Sequence, residues 1–363
     1  SEESRMARRK SPLVSALFKL TRAGVRQSTK IGKAATRQGI AAGGRLASSA
    51  RHVMSGIATP ADAPAAVTGG RWHEGRWGLG PLAMRRYRLF IPTGASTRRP
   101  IPLLLLLHGC AQDTAAFAAS TRCAAVARER GFAVLMPEQA QEANPQRCWN
   151  WFGSDARVGM ETRILMAIVD HAVSGHPRIG GPLFAIGLSA GGSMALTLGL
   201  EHPERFVAVG SHSGAAPHSA VTPLQAGQTM RGRRSPDAEP IARALNGRAA
   251  PPLLLIHGDF DPVVSFANAE TSAGLWADLL PEGTKMSVAS GEIRRGSRRR
   301  ITRQDWKVGR QTYVRLLRVH GMGHAWSGGA AGQAFSDPEG PDALRLAWQF
   351  FAAVMERAPD KAV

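Results

Sequence analysis

Cysteine, acidic residues and long apolar runs are all scarce in this sequence. Its three cysteines, Cys110, Cys123 and Cys148, are too few for a disulfide-built scaffold and lack zinc-ligand spacing, although one bridge plus a free thiol fits the count. The longest apolar run, Ile101–Leu107, is far shorter than the roughly 18 to 20 residues that cross a bilayer. With 44% hydrophobic and 20% charged residues among 363, the composition predicts a globular protein with a sizeable core.

The shortage of acidic residues leaves a formal net charge of +19, from 46 Lys and Arg against 27 Asp and Glu. About half of this excess lies in residues 1–55, which contain 12 basic and 2 acidic side chains. Apolar residues at helical spacing favour a basic amphipathic helix in this segment, whereas its glycines favour disorder. We expect a basic tail at 1–57, a linker at 58–74, one folded domain at 75–357 and a C-terminal tail at 358–363.

The basic tail leaves several interpretations open. No secretory signal is evident, because the apolar stretch at 13–20 is interrupted by Ser15 and Lys19, so we expect a cytoplasmic protein. The Arg-rich, acid-poor composition is also typical of a mitochondrial presequence. A third interpretation is salt-dependent binding of the tail to nucleic acid, anionic lipid or the surface of a polymer granule.

Strand and helix signals alternate along the folded domain. Short apolar runs predict strands at Arg85–Ile91, Ile101–Leu107, Phe132–Met136, Leu183–Leu188, Phe206–Val209, Leu253–Ile256 and Tyr313–Val319. Helical patterns occupy Thr114–Arg130, Met160–Val173 and Gly191–Glu201. Continuously apolar strands are typical of a mostly parallel sheet covered by helices on both faces, so the fold class is α/β. We interpret Ala215–Ala250 as an insertion over one end of the sheet and the Arg-rich Gly291–Arg303 as a solvated hairpin.

The most specific chemical signal is the pattern Gly187-Leu188-Ser189-Ala190-Gly191. It follows an apolar strand and precedes a helix, which is the context that a Gly-x-Ser-x-Gly nucleophile requires. Small residues around the serine let the strand turn sharply into the helix, so that the hydroxyl projects above the sheet. We interpret Ser189 as a nucleophile; the alternative is an ordinary glycine-rich turn.

A nucleophilic serine needs a histidine that accepts its proton and a carboxylate that orients the histidine. The loop after Leu253–Ile256 offers Asp259 and Asp261. We prefer Asp261, because Pro262 and the apolar residues after it indicate that this aspartate opens the next helix while facing the site. The alternative role of an aspartate before proline is that of a helix N-cap.

Two histidines follow the strand Tyr313–Val319. His324 lies in a glycine-rich loop beside an aromatic residue, whereas His320 is nearer the strand end and is as easily packed or exposed. We therefore prefer His324 as the base. The chain order Ser189, Asp261, His324 is the order of nucleophile, acid and base in α/β hydrolases.

The oxyanion of an acyl-transfer intermediate needs two backbone amides. Ala190 follows the serine and supplies one. The loop His108-Gly109-Cys110-Ala111-Gln112 follows an early buried strand, and there the amide of Cys110 would supply the second. We expect His108 itself to be structural and to form a hydrogen bond within this loop.

Several further motifs accompany these residues between about 85 and 355: His108–Gln112, Cys148–Phe152, Gly187–Gly192, His212–Gly214, His257–Asp261, Gly323–Gly329 and Phe335–Asp342. With them, the sequence resembles the polyhydroxybutyrate depolymerase family of esterases, a branch of the α/β-hydrolase fold that also includes feruloyl-esterase-like enzymes. The basic opening departs from secreted members of that family, which begin with a signal peptide.

The resemblance implies roles for five residues. Ser189 is the nucleophile, His324 the general base and then acid, and Asp261 its orienter, while the amides of Cys110 and Ala190 form the oxyanion hole. No metal or cofactor is needed.

The resemblance also suggests a bridge from Cys110 to Cys148. Such a bond needs an oxidising compartment, so secretion stays an alternative to the cytoplasm. Trp149, Trp151 and Trp326 are candidates either for lining an apolar acyl groove or for core packing.

We therefore expect a serine esterase that hydrolyses short-chain hydroxyacyl esters, such as poly- or oligo-3-hydroxybutyrate, through an acyl-enzyme. A feruloyl-type or general carboxylesterase is the alternative within this class, because the insertion and groove shape that set specificity cannot be read from the sequence. From another class, the chain could be a surface-binding protein that uses the basic tail, with the hydrolase body as scaffold. All three triad positions are present, whereas a degenerate scaffold should have lost one.

Overall fold

The computed structural model describes residues 69–293 and 298–357, which form a ten-stranded mixed sheet between helices. The strands are β1 (Gly70–Trp77), β2 (Arg85–Pro92), β3 (Ile101–Leu107), β4 (Ala133–Glu138), β5 (Ile179–Leu188), β6 (Phe206–His212), β7 (Leu253–Gly258), β8 (Met286–Ile293), β9 (Ile301–Val308) and β10 (Gln311–Val319). Their spatial order is β1-β2-β4-β3-β5-β6-β7-β10-β9-β8. The six neighbouring strands in the middle of this order, from β4 through β3, β5, β6 and β7 to β10, run parallel. At one edge β2 and then β1 add antiparallel strands, and at the other edge β9 and then β8 do the same.

Nine helices and a small ladder complete the described part of the chain. The helices are α1 (Gly80–Ala83), α2 (Thr114–Thr121), α3 (Cys123–Arg130), α4 (Asp155–Gly175), α5 (Ala190–Glu201), α6 (Pro223–Met230), α7 (Ala238–Leu245), α8 (Ala267–Asp278) and α9 (Ala343–Met355). Two short strands, β11 (Trp326–Ser327) and β12 (Ser336–Asp337), pair in parallel. Within the described ranges, no helix combines the length and apolarity needed to cross a membrane.

The continuous apolar run of β3 feeds two hydrophobic clusters. Leu103, Leu105 and Leu107 pack into one cluster, while Leu104 and Leu106 pack into the other. Successive strand residues point to opposite faces of a sheet, so both faces of β3 are covered. The predicted α/β class with a mostly parallel sheet is confirmed, and its parallel strands all present their carboxyl ends at one edge.

The structure differs from the sequence-based expectations at two places within the described residues. The first strand begins at Gly70 rather than after the expected linker, because β1 pairs with β2 along its whole length. The expected single helix over 114–130 is two helices, because Arg122 has a φ of 53°. The guanidinium of Arg122 bonds to the Gly328 carbonyl and pairs with Asp342, so this break ties the helices to a loop near the carboxyl edge.

The insertion and the hairpin lie where the sequence suggested segments outside the regular alternation. Residues 215–250 contain α6 and α7. The arginine-rich segment connects β8 to β9, which extend the sheet beyond β10 as an antiparallel pair. The expected tail at 1–57, most of the linker, and residues 294–297 and 358–363 lie outside the described residues.

Candidate active site

Four parallel strands carry the chemically important loops to one edge of the sheet. Ser189 follows β5, His212 ends β6, Asp261 lies three residues after β7, and His324 lies five residues after β10. These strands are neighbours in the order β5-β6-β7-β10. The carboxyl ends of neighbouring parallel strands meet at one edge, so residues distant in sequence share a single site there.

Ser189 stands at a sharp turn between β5 and α5. Its φ of 56° and ψ of −121° lie in a region that non-glycine residues rarely adopt, and holding them there costs about 1 to 3 kcal/mol. The glycines two positions away are required by packing. A Cβ on Gly187 would lie 2.4 Å from the Gly191 backbone, and one on Gly191 would lie 2.3 Å from the Leu107 carbonyl oxygen. The turn can therefore form only with hydrogen at both positions.

Asp261 and His324, which we call the inner pair, form a buried hydrogen bond. His324 Nδ1 donates to Asp261 Oδ2 at 2.7 Å, and the two side chains are 8% and 0% exposed. The other carboxylate oxygen, Oδ1, accepts the backbone N–H groups of Val263 and Val264 at 2.8 and 2.9 Å. His257 Nε2 lies 3.5 Å from Oδ2 while donating to the Val264 carbonyl. Three hydrogen-bond donors and the nearby His257 ring thus surround the carboxylate.

The surroundings of Asp261 decide its charge. Burial alone would raise the pKa of this carboxyl, but the charge of His324 and the hydrogen bonds from His257 and His324 outweigh burial and hold the pKa well below its usual value. Asp261 is therefore ionised across the neutral range. An ionised carboxylate on Nδ1 leaves Nε2 of His324 unprotonated and able to accept a proton.

A second Asp–His pair, Asp259 and His320, which we call the outer pair, lies on the same two loops. His320 Nδ1 donates to Asp259 Oδ2 at 2.7 Å, and Thr302 Oγ1 lies 2.7 Å from His320 Nε2. Asp259 Oδ1 also accepts the Gly321 N–H at 2.7 Å. The His320 and Asp259 side chains are 21% and 28% exposed. Both histidines and both aspartates that the sequence offered are therefore paired, the preferred ones on the inside.

The loop after β3 lies against the serine turn. Gly109 N–H donates to the side-chain oxygen of Gln112 at 2.8 Å, and a Cβ on Gly109 would lie 3.5 Å from Ser189 Cβ. Among the described residues, neither the Cys110 nor the Ala190 amide donates to a protein acceptor. The predicted oxyanion role requires two amides without a protein acceptor, and it stays a prediction.

A buried polar network supports this loop from behind. His108 Nε2 accepts the Gln139 N–H at 3.1 Å, so Nδ1 carries the proton and donates to the Gly109 carbonyl at 2.7 Å. Burial lowers the pKa of His108, which favours the neutral ring. The side-chain amide of Gln139 donates to Glu161 Oε1, which also accepts a hydrogen bond from Arg85 Nη2 at 3.0 Å. The charge pair of Glu161 and Arg85 therefore lies within three hydrogen bonds of the loop His108–Gln112, which we call the oxyanion loop because of its predicted role.

The disulfide and the tryptophans complete the same region. Cys110 is bonded to Cys148, and Cys123 is a free, buried thiol. Trp149 is fully buried and donates its indole N–H to the His108 carbonyl at 3.0 Å. The bridge and the indole thus attach the Trp-rich segment to the oxyanion loop.

The suggested groove role of the three tryptophans needs correction. Trp149, Trp151 and Trp326 are 0%, 6% and 1% exposed and belong to the hydrophobic clusters. Trp326 stacks on His212 with ring centroids 5.1 Å apart and meets Phe117 edge-on. The three rings therefore pack in the core, which is the alternative that the sequence left open.

Two residues with close links to the site were not singled out individually from the sequence. Glu161 lies on the buried face of α4, with Val158 three residues before it and Leu165 four residues after it. A charged residue on an apolar stripe signals a buried partner. His212 occurred only within a quoted motif, and only the fold places it beside Ser189 and the His324 loop. Within the described ranges, no group of three or more His, Cys, Asp or Glu side chains is placed to hold a metal ion.

Comparison with known proteins shows which esterases this chain resembles. The chain is 26% identical over 204 residues to poly(3-hydroxyalkanoate) depolymerase C of Paucimonas lemoignei, covering 53% of this chain and 47% of that protein. It is 23% identical over 218 residues to feruloyl esterase B of Thermothelomyces thermophilus, covering 56% and 73%. The chain spans about half the length of the curated depolymerases that it matches.

A solved structure supports the fold. An acetyl xylan esterase from Aspergillus awamori superposes with a TM-score of 0.60 at 17% identity, over 77% of this chain and 99% of that one. The family model described as Esterase PHB depolymerase matches residues 85–300, more than half of the chain. This protein therefore belongs to the PHB depolymerase family of esterases.

Proposed function

We propose that this protein is a serine esterase that cleaves short-chain hydroxyacyl esters through a covalent acyl-enzyme. The observation that carries the proposal is the placement of Ser189, on a strained turn at the sheet edge where the buried inner pair also lies. A serine on such a turn, at the same sheet edge as a histidine that is backed by an ionised carboxylate, has the elements that make a serine nucleophilic near neutral pH.

The proposed reaction has two halves. In acylation, Ser189 Oγ attacks the ester carbonyl while His324 Nε2 takes its proton, and His324 then returns that proton to the departing alcohol. In deacylation, water attacks the acyl carbonyl while His324 Nε2 takes its proton; the bond from the acyl carbon to Ser189 Oγ then breaks, the carboxylic acid departs and the proton returns to Ser189 Oγ. Asp261 stays ionised throughout, because the donors around it stabilise its charge.

The tetrahedral intermediates of both halves carry negative charge on the former carbonyl oxygen. The Cys110 and Ala190 amides would bind this oxygen, each donor contributing about 3 to 4 kcal/mol of transition-state stabilisation. The Cys110–Cys148 bond and the His108 hydrogen bonds keep the first donor in place before substrate binds.

The choice of a short-chain hydroxyacyl substrate is supported by the family and by the depolymerase relative. The feruloyl esterase relative supports an aromatic acyl ester as the competing substrate class. The segment that carries α6 and α7 is the element best placed to decide between them, since Gly153 N–H bonds to its Ala220 carbonyl and Ser265 N–H bonds to its Met230 carbonyl. It thereby connects the loops on both sides of the site.

A substrate panel on purified full-length protein tests this proposal. We expect hydrolysis of p-nitrophenyl butyrate and of 3-hydroxybutyrate oligomers, and weaker hydrolysis of methyl ferulate. Ser189→Ala should lower kcat by at least about 10³-fold. Ser174→Ala, which alters an exposed serine at the end of α4, should change nothing. Activity that survives Ser189→Ala would overturn the mechanism, and a preference for methyl ferulate would overturn the substrate class.

The charge of residues 1–55 favours a second role for the chain, in binding an anionic surface. We propose that this segment localises the esterase to a polymer granule, anionic lipid or nucleic acid. Removing residues 1–57 should leave turnover of p-nitrophenyl butyrate intact and abolish salt-sensitive sedimentation with granules or anionic vesicles. Loss of soluble turnover on this deletion would contradict the separation of the two roles.

A further inference from the structure

We propose that His212 is a positioning residue that holds the Ser189 turn and the His324 loop in register. The inference rests on the proposed function, since it assigns to His212 the alignment of the proposed nucleophile and base. His212 ends β6, the strand that lies between the strands leading to Ser189 and Asp261. Both its backbone and its side chain bond to loops of the site.

The backbone of His212 contacts the nucleophile turn directly. Its carbonyl accepts the Ser189 N–H at 2.8 Å. This bond continues the parallel pairing of β5 with β6, in which Leu188 lies opposite His212, and it satisfies the N–H of the residue with φ of 56°. The end of β6 thus stabilises the conformation that presents the hydroxyl.

The side chain of His212 contacts the other loop. Its Nε2 accepts the Ser327 N–H at 3.0 Å, three residues after His324, and lies 3.1 Å from Ser327 Oγ. The imidazole stacks on Trp326, two residues after His324, with ring planes 25° apart. The loop that carries the base is therefore fixed by a hydrogen bond and a ring contact to the strand that supports the nucleophile.

The hydrogen bonds define the tautomer. Because a backbone N–H donates to Nε2, that nitrogen is unprotonated and Nδ1 carries the hydrogen. Nδ1 lies 3.1 Å from Ser213 Oγ, which accepts it. The imidazole, Ser213 and Ser327 are all fully or almost fully buried. Bulk solvent therefore does not reach this contact in the folded protein.

The charge state of His212 is compatible with this role. Burial, followed by the charges of His257 and His324, lowers the pKa of His212 to about 3, while Asp261 opposes the shift. Those three are the titratable groups that act on its ring. The ring of His212 is therefore neutral near pH 7, and its Nε2 stays available as the acceptor for the Ser327 N–H.

Two amide variants separate positioning from simple filling of the core. In His212→Gln the amide oxygen reaches about the place of Nε2 and can accept from Ser327 N–H, whereas in His212→Asn the shorter amide reaches only about the place of Nδ1. Both variants are neutral and polar. They should differ in the contact that holds the His324 loop, while disturbing the core to a similar extent.

We expect His212→Asn to lower kcat for p-nitrophenyl butyrate by about 10²-fold, the effect of a misplacement of about 1 Å. Its KM should stay within about threefold, and His212→Gln should recover kcat to within about tenfold of the wild type. The proton NMR signal of His324 Nδ1–H, shifted downfield by its bond to Asp261, should survive in the Gln variant and broaden or vanish in the Asn variant. Thermal unfolding of each variant measures folding separately.

Equal kcat values for the Gln and Asn variants, whether both high or both low, would overturn the proposal, as would an unchanged NMR signal in a slow Asn variant. If neither variant folds, Ser213→Ala provides the test. Loss of the acceptor for Nδ1–H should lower kcat by about fivefold to tenfold, as expected for a hydrogen bond of about 1 kcal/mol, and an unaltered kcat would overturn the inference. Failure of the proposed function can be told apart from failure of this inference. In the first case activity would persist in Ser189→Ala, while the His324 Nδ1–H signal would still differ between the two His212 variants.

Discussion

The inner and outer Asp–His pairs lie on the same two loops and share one hydrogen-bond length, yet they differ in the burial and contacts on which the proposed catalysis depends. In each pair the histidine Nδ1 and the carboxylate oxygen are 2.7 Å apart. The side chain of the inner aspartate is fully buried and receives three hydrogen bonds, whereas both side chains of the outer pair are partly exposed. Distance alone does not distinguish a catalytic dyad from a structural one; burial and the remaining contacts of the carboxylate do.

The serine proposed to act with the inner pair, Ser189, differs in its backbone setting from Thr302, whose hydroxyl bonds to the outer pair. Thr302, beside the outer pair, lies within β9, which is paired with β8 on one side and β10 on the other. The backbone amides of such a strand belong to the sheet ladder, so none is free to bind an oxyanion. Ser189 instead stands where a strand becomes a helix, and the next amide, of Ala190, is free. A hydroxyl, an imidazole and a carboxylate in a row are therefore insufficient without an oxyanion donor beside them.

The largest expected difference between the pairs is in turnover. Asp261→Asn should lower kcat/KM for p-nitrophenyl butyrate by about 10⁴-fold, because an amide favours the wrong tautomer of His324. Asp259→Asn should change it by less than about threefold, a difference of under 1 kcal/mol in transition-state stabilisation. Steady-state kinetics on both purified variants measure this contrast. Comparable losses in the two variants would show that the outer pair acts in the chemistry.

Sequence reasoning could reach the sheet and the chain order of the site, because both are local signals. Ser189 was indicated by the glycines that its turn requires, and Asp261 and His324 by strand ends. The choice of each over its neighbour stays a prediction, since the pairing of Asp259 with His320 depends on the path of two loops relative to each other. No periodicity encodes that path.

Other features escaped the sequence for energetic reasons. Strand β8 is mostly exposed and β9 is mostly half-buried and polar, so neither contains the apolar run that would signal a strand. The buried role of Trp149 depends on a hydrogen bond to a loop 41 residues away. Glu161 lies in the core only because Arg85 and two amides satisfy it, and such compensation involves residues far apart in the chain.

Two Arg–Glu pairs extend the contrast between buried and exposed contacts to stability. Arg85 and Glu161 are 3.0 Å apart and buried, whereas Arg318 and Glu270 are 3.0 Å apart and half exposed. Glu161→Gln should lower the free energy of unfolding by about 3 to 5 kcal/mol, because it leaves Arg85 buried without a counter-charge. Glu270→Gln should lower it by less than about 1 kcal/mol. Denaturant unfolding measures both values, and equal losses would refute the importance of burial.

Acid unfolding sharpens the description of the inner pair. The pKa of Asp261 is lower in the folded protein than in the unfolded chain, so unfolding takes up a proton on the acid side. The stabilisation by this carboxylate is present above the unfolded pKa of about 3.9 and is lost as the pH falls toward the folded pKa. The difference in stability between wild type and Asp261→Asn should therefore shrink as the pH falls below about 4. Parallel stability curves from pH 7 to pH 3 would contradict an ionised, donor-surrounded Asp261.

The smallest effect is expected at the outer pair, where Thr302→Val removes the hydroxyl that bonds to His320 Nε2. Valine preserves the shape and the strand preference of the side chain, so only the hydrogen bond is lost. A partly exposed hydrogen bond contributes about 1 kcal/mol or less, since water replaces it. Thermal unfolding should register a small decrease and kcat should be unchanged. A fall in kcat of more than about tenfold, or 1.4 kcal/mol, with normal folding would mean that the outer chain of hydrogen bonds controls the loop of His324, and the two pairs would then form one functional unit.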